Sequence, residues 1–117
     1  MSHTAAPPVF TFEVEECTDG VAMVRCHGKL VAGVADLLIT GVRPLFAEHK
    51  RVVLDLSDLQ HTDSMGMGAL VRLYVAAKSA GCSLELAHLS KQIRHLLGIT
   101  HLLDVFVIVG ESGIKWM

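Results

Sequence analysis

The stretch from Arg51 to Ala80 restricts the possible folds more than any other part of the chain. A compact apolar run, RVVLDL, passes through the loop-type residues SDLQHTD into a segment where Met67, Leu70, Val71, Tyr74 and Val75 recur at helical spacing. Consecutive apolar residues leave no polar face to turn toward water, so such a run belongs in a central strand covered on both sides. Gly81 stands just past the periodic segment, where a helix C-terminus favours glycine. A buried strand feeding a helix of this length is the unit from which parallel sheets are built.

The rest of the chain fits the same scheme. Residues 1–8 read as a loose tail because Pro7-Pro8 removes ladder donors. Val9–Val14 (VFTFEV) and Val21–Cys26 (VAMVRC) are β-prone runs separated by a turn signal at Asp19-Gly20, which predicts adjacent antiparallel strands. Val34–Phe46 carries Val34, Leu37, Leu38, Val42 and Leu45 at helical spacing, weakened in its second half by Gly41 and Pro44. Ser83–Ala87 reads as a strand, Ser90–Leu97 as a short helix opened by its serine and stopped by Gly98, and Val105–Val109 as a last strand. The tail from Gly110 to Met117 is too short to assign an element, with Ile114 and Trp116 able to pack back on the body. The expected architecture is one α/β domain over residues 9–117, with a mixed sheet and the order β-β-α-β-α-β-α-β.

At 117 residues the chain has the size of one compact domain with its own core. With 51% hydrophobic residues and a mean hydropathy of +0.48, it calls for strands buried on both faces or an apolar docking patch. Ten basic and twelve acidic residues, in no long run of one sign, leave no footprint for nucleic acid or an anionic membrane. Protonation of all seven histidines would take the net charge from -2 to +5. Cys17, Cys26 and Cys82 are odd in number and form no CxxC pair, as expected of reduced thiols inside the cell. The N-terminus lacks a signal-peptide pattern, and no apolar run approaches the roughly 18 residues of a membrane span, so a cytoplasmic location is expected.

Chemistry concentrates at Asp63-Ser64-Met65-Gly66-Met67-Gly68, where the central strand's loop enters the helix. Ser64 falls where an N-cap belongs, its hydroxyl able to accept from an amide two or three residues on. The same place suits a phosphate, because free amides and the positive end of the helix dipole favour added negative charge. Gly66 and Gly68 are poor helix formers in a first turn, which points to close approach by another surface. Enzyme motifs fail here. A nucleophile elbow needs glycine on both sides of the serine and finds Thr62, the phosphate-loop pattern is missing, and the partial dinucleotide fingerprint from Gly66 lacks its third glycine. A hydrolase pairing Ser64 with His61 is therefore disfavoured. His95 and His101 are six apart with no HExxH, so neither metal nor other cofactor is expected, and His27, His49 and His88 read as surface or strand-end residues.

These residues carry a resemblance. Leu54-Asp55-Leu56-Ser57 followed by Asp63-Ser64-Met65-Gly66-Met67-Gly68-Ala69-Leu70-Val71 is similar to the hallmark of the STAS domain, the fold of bacterial anti-sigma factor antagonists. The similarity extends through Val24-Arg25-Cys26-His27-Gly28-Lys29-Leu30, Ala80–Leu86 and Ile93–Thr100, so it spans about Val9 to Ile108. The resemblance implies a non-enzymatic partner switch. An anti-sigma factor with serine kinase activity would phosphorylate Ser64, a phosphatase would reverse this, and the unmodified chain would bind the anti-sigma factor. It further implies a partner-binding surface of Asp63, Ser64, Met65, Gly66 and Met67 with Gly28, Lys29 and Leu30. His61-Thr62 replaces the family's usual apolar residues, and Met65 stands where a small residue is more usual. Some relatives act without phosphorylation as adaptors in signalling or transport assemblies, which is the alternative reading. Self-association into a homodimer is left open by the sequence.

Overall fold

The computed structural model describes residues 8–109; the expected packing of Ile114 and Trp116, and all but Pro8 of the N-terminal tail, fall outside them. Strands β1 (Phe10–Glu16) and β2 (Val21–Leu30) form the expected antiparallel pair around Asp19-Gly20. Helix α1 (Ala35–Val42) and a 3-10 turn (Arg43–Ala47) lead to β3 (Arg51–Thr62), and α2 (Ser64–Ala80) leads to β4 (Ser83–Ala87). Helix α3 (Lys91–Ile99) precedes β5 (Val107–Val109). The sheet runs β1-β2-β3-β4-β5, with β2 to β5 mutually parallel. This is the expected mixed α/β sheet, its parallel steps spanned by α1, α2 and α3. No helix among the described residues is long and apolar enough to cross a membrane.

Strand alternation decides where the core lies. Ala22, Val24 and Cys26 of β2, Val52, Leu54 and Leu56 of β3, and Leu84 and Leu86 of β4 share one buried cluster with Leu38 and Val42 of α1, Ala69, Leu70, Leu73 and Ala77 of α2, and Ile93 and Leu97 of α3. The opposite face carries Met23, Arg25, Arg51, Asp55 and Glu85, yet Val53 and Ala87 are buried there as well. The centre of the sheet is thus enclosed on both sides, as the RVVLDL run required.

Several boundaries differ from expectation. The first helix is α-helical only to Val42, because Pro44 has no amide hydrogen to continue the ladder and the chain tightens into the 3-10 turn. Strands β2 and β3 run on to Leu30 and Thr62, past Cys26 and Leu56. Leu59 and Thr62 are buried, but irregularities between Arg25 and His27 and between Gly28 and Lys29 break the alternation that would have revealed the extension. Gly98 does not stop α3. A side-chain carbon there would stand at an ordinary 3.5 Å from Leu103, and the helix runs on to Ile99, where the Thr100 hydroxyl donates to the Leu96 carbonyl at 2.8 Å. β5 begins at Val107, because Phe106 is buried edge-on against Tyr74.

Candidate partner-binding site

The chain enters α2 differently from the local expectation. Asp63, with extended backbone, is the N-cap. Its Oδ1 accepts from the Gly66 amide at 2.9 Å, a role the sequence had assigned to Ser64. The reason lies across the sheet. Leu30 pairs with Thr62 at the ends of β2 and β3, so the loop after β2 lies beside Asp63, and the other carboxylate oxygen accepts from Ala32 at 3.0 Å. One carboxylate therefore ties two loops together and satisfies the helix start. These amides, that of Ala32 first and that of Gly66 next, hold the Asp63 carboxyl below its ordinary range.

A second tie lies beneath the first. The Thr62 hydroxyl is buried and donates to the Leu30 carbonyl at 2.7 Å. Gly66 sits against both groups: a side-chain carbon there would fall 1.9 Å from the Leu30 oxygen and 2.1 Å from Thr62 Oγ1. Gly66 is thus required by close approach within the fold. At Gly68 an added carbon would meet nothing within 4 Å, so that position opens outward.

The residues named from the sequence sort by exposure. Ser64 and Met65 are exposed at the first two positions of α2, Met65 by 57%, and Met67 is half-buried with its sulfur 3.8 Å from the Thr100 hydroxyl. Lys29 is exposed and registered opposite His61 at the same end of the sheet. Leu30 and Gly66 are buried and shape the site from below. Gly28 leaves room for the Val9 carbonyl, which would lie 2.2 Å from a side-chain carbon there, and so seats β1 on β2. No hydrogen bond from the Ser64 hydroxyl is found among the described residues. His61 instead faces Gln92 at 3.4 Å, so no Ser–His pair is assembled. No group of three or more His, Cys, Asp or Glu among the described residues is arranged to hold a metal.

The loop beyond Leu30 also belongs to the site, although no residue pattern in the sequence marks it. Ala32, through its amide to Asp63, and Thr100, whose hydroxyl lies 3.8 Å from the Met67 sulfur just after α3, border the start of α2. Neither carries a side-chain pattern that would have singled it out. Of the histidines expected at the surface or at strand ends, His49 stands just before β3, its side chain only 5% exposed and both ring nitrogens engaged.

Comparison with known proteins gives this geometry a family. The STAS domain profile matches residues 14–113. The anti-sigma-B factor antagonist of Bacillus subtilis (strain 168) is 30% identical over 89 residues, covering 76% of this chain and 82% of that protein. Among solved structures, an anti-sigma factor antagonist from Mycobacterium paratuberculosis superposes with a TM-score of 0.76 at 24% identity, over 90% of this chain and 89% of that one. The anti-sigma factor antagonist SpoIIAA in its unphosphorylated form gives a TM-score of 0.72 at 15% identity, over 87% and 90% of the two chains. By profile, sequence and fold, the chain belongs to the STAS domain family and, within it, to the anti-sigma factor antagonists.

Proposed function

We propose that the chain is a phosphorylation-controlled partner switch in the cytoplasm. Unmodified, it binds an anti-sigma factor that has serine kinase activity; phosphorylated by that partner on Ser64, it lets go, and a phosphatase restores it. The observation that supports this reading best is the division of labour at the start of α2. Asp63 supplies the cap, so the adjacent serine hydroxyl is exposed and has no structural duty to lose.

The physical consequences of modification follow from that placement. A phosphate adds about 1.5 to 2 negative charges, which the amino end of a helix accommodates, so the fold survives. The same charge lands beside the ionised Asp63 and the exposed Met65, where a docking partner would have to desolvate it. The net charge of the chain moves from -2 to about -4. Exposed Lys29 and Met65 are the contact residues in this reading, while Leu30, Thr62 and Gly66 position them. SpoIIAA, of the same fold, has been seen in both unphosphorylated and phosphorylated forms.

The test is incubation with the cognate anti-sigma kinase and ATP, followed by intact mass of the wild type and of Ser64→Ala. One added phosphate on the wild type and none on the variant is the expected result. No phosphate on either, or equal labelling of both, would sink the switch at Ser64. Capture of transport or scaffold subunits with no kinase would favour the adaptor reading instead.

A further inference from the structure

Two histidines tie β1 to the rest of the fold in a way that partner switching does not use. His27, on β2, has Nε2 at 2.6 Å from Glu13 of β1 and Nδ1 at 2.6 Å from Asp58 of β3. His49, just before β3, has Nε2 at 2.7 Å from Glu16 at the end of β1 and Nδ1 at 2.9 Å from the Leu45 carbonyl. Every one of these four partners is an acceptor. A neutral imidazole has a single N–H, so it can satisfy only one of two acceptors and turns a lone pair toward the other. Both rings therefore sit in places built for the doubly protonated form.

Both also end on the same element. Among the described residues β1 is an edge strand with β2 as its one sheet neighbour, and its outer residues are largely exposed. Glu13 and Glu16 are the points at which His27 and His49 tie it to β3 and to the turn after α1. We propose that His27 and His49 form a pH-sensitive latch that holds β1 on the sheet when both rings are charged and loosens it when they lose their protons.

The surrounding charges favour that form. Around His27 stand Glu13 and Glu15 from β1, Arg25 and Lys29 on its own strand, and Asp55 and Asp58 from β3. Arg25 is engaged with Glu15 and lies 3.9 Å from Asp55, so four carboxylates face the Arg25–His27 pair. Around His49 stand Glu16 from β1, Glu48 and Lys50 beside it in the chain, and the Leu45 carbonyl. Hydrogen bonds to Asp58 and then Glu13 raise the His27 pKa; hydrogen bonds to Glu16 and then Leu45 raise that of His49. A raised histidine pKa means that the stabilisation is complete below the ordinary value of about 6.5 and is lost as pH rises through the folded value.

The experiment is amide hydrogen exchange of the whole chain at about pH 6 and about pH 9, corrected for intrinsic rates. Protection of the β1 amides bonded to β2 should fall by about two- to fivefold per histidine at the higher pH, the range of a partly exposed ion pair, while β3 and β4 amides hold theirs. The His27→Gln, His49→Gln double variant should show the lower β1 protection at both pH values. Glu13→Gln with Glu16→Gln, which changes only exposed carboxylates and keeps both rings, should flatten the profile in the same way. Constant β1 protection in the wild type, or a fall that persists in either double variant, would overturn the latch.

Discussion

Two glycines in one helix should answer the same substitution with opposite signs. In Gly66→Ala the new carbon would meet the Leu30 carbonyl oxygen at 1.9 Å and Thr62 Oγ1 at 2.1 Å, both well under the 3.0 Å that real side-chain carbons keep. Neither neighbour is a free side-chain end. One is backbone, and the other is a buried hydroxyl bonded to it at 2.7 Å. Separating them forfeits about 1 kcal/mol of hydrogen bonding and adds about 1–3 kcal/mol of overpacking, while alanine returns at most about 1 kcal/mol of helix propensity. The net is a loss of about 1–3 kcal/mol, a sizeable part of the roughly 5–15 kcal/mol that holds a domain folded. Gly68→Ala meets nothing within 4 Å and should gain about 0.5–1 kcal/mol. Urea unfolding followed by circular dichroism reads both. At an m-value of roughly 1.5 kcal/mol/M the two midpoints should lie about 1–3 M apart, with Gly66→Ala below the wild type and Gly68→Ala above it. A Gly66→Ala protein as stable as the wild type would refute the close approach of α2 to the end of β2.

Other consequences are measurable in the same preparations. Burial pushes the Glu85 carboxyl up, but hydrogen bonds from Arg51 (2.7 and 3.0 Å) and Ser83 (2.9 Å) outweigh it and leave the carboxyl below its ordinary value. The stabilisation it provides is present above the usual glutamate range and disappears as pH falls through the lowered value. Glu85→Gln should cost about 1–2 kcal/mol at neutral pH and nothing in strong acid, as seen in denaturation midpoints across pH; a pH-independent cost would contradict the pairing. Burial pushes the Cys26 thiol up to about 12 and raises that of Cys82, while Cys17 is exposed. A disulfide reagent at mildly alkaline pH should label one thiol quickly, and Cys17→Ser should abolish that fast phase. Rapid labelling that survives the substitution would mean that the core opens.

What could be read in advance, and what could not, divides along physical lines. β4 and α2 fall where the apolar pattern places them, because Ser83–Ala87 and Ser64–Ala80 each keep one unbroken period between strong stops. The ends of β2 and β3 were hidden because Ser57 and Asp58 are both exposed in succession where the pairing is irregular, so strand and loop look alike locally. The cap is ambiguous in the sequence for a related reason. Asp63 and Ser64 are equally good caps in isolation, and only the Ala32 amide, 31 residues away, decides between them. The histidine pairs are longer-range still, since His27 meets Glu13 and Asp58 only once three strands are in register. The Ser64 region was legible because its residues are contiguous; the contacts from Ala32 and Thr100 were not, because folding alone brings them there.

In the proposed switch, modification of Ser64 changes what the chain binds without changing how it folds. The most direct measurement is a calorimetric titration of the cognate anti-sigma factor with unmodified and Ser64-phosphorylated chain, run beside thermal unfolding of the same two samples. The expected result is a loss of at least about tenfold in affinity, some 1.4 kcal/mol, with a melting temperature that moves by no more than about 2 °C. Equal affinity of the two forms would contradict the claim, and so would an affinity loss accompanied by a collapse in melting temperature.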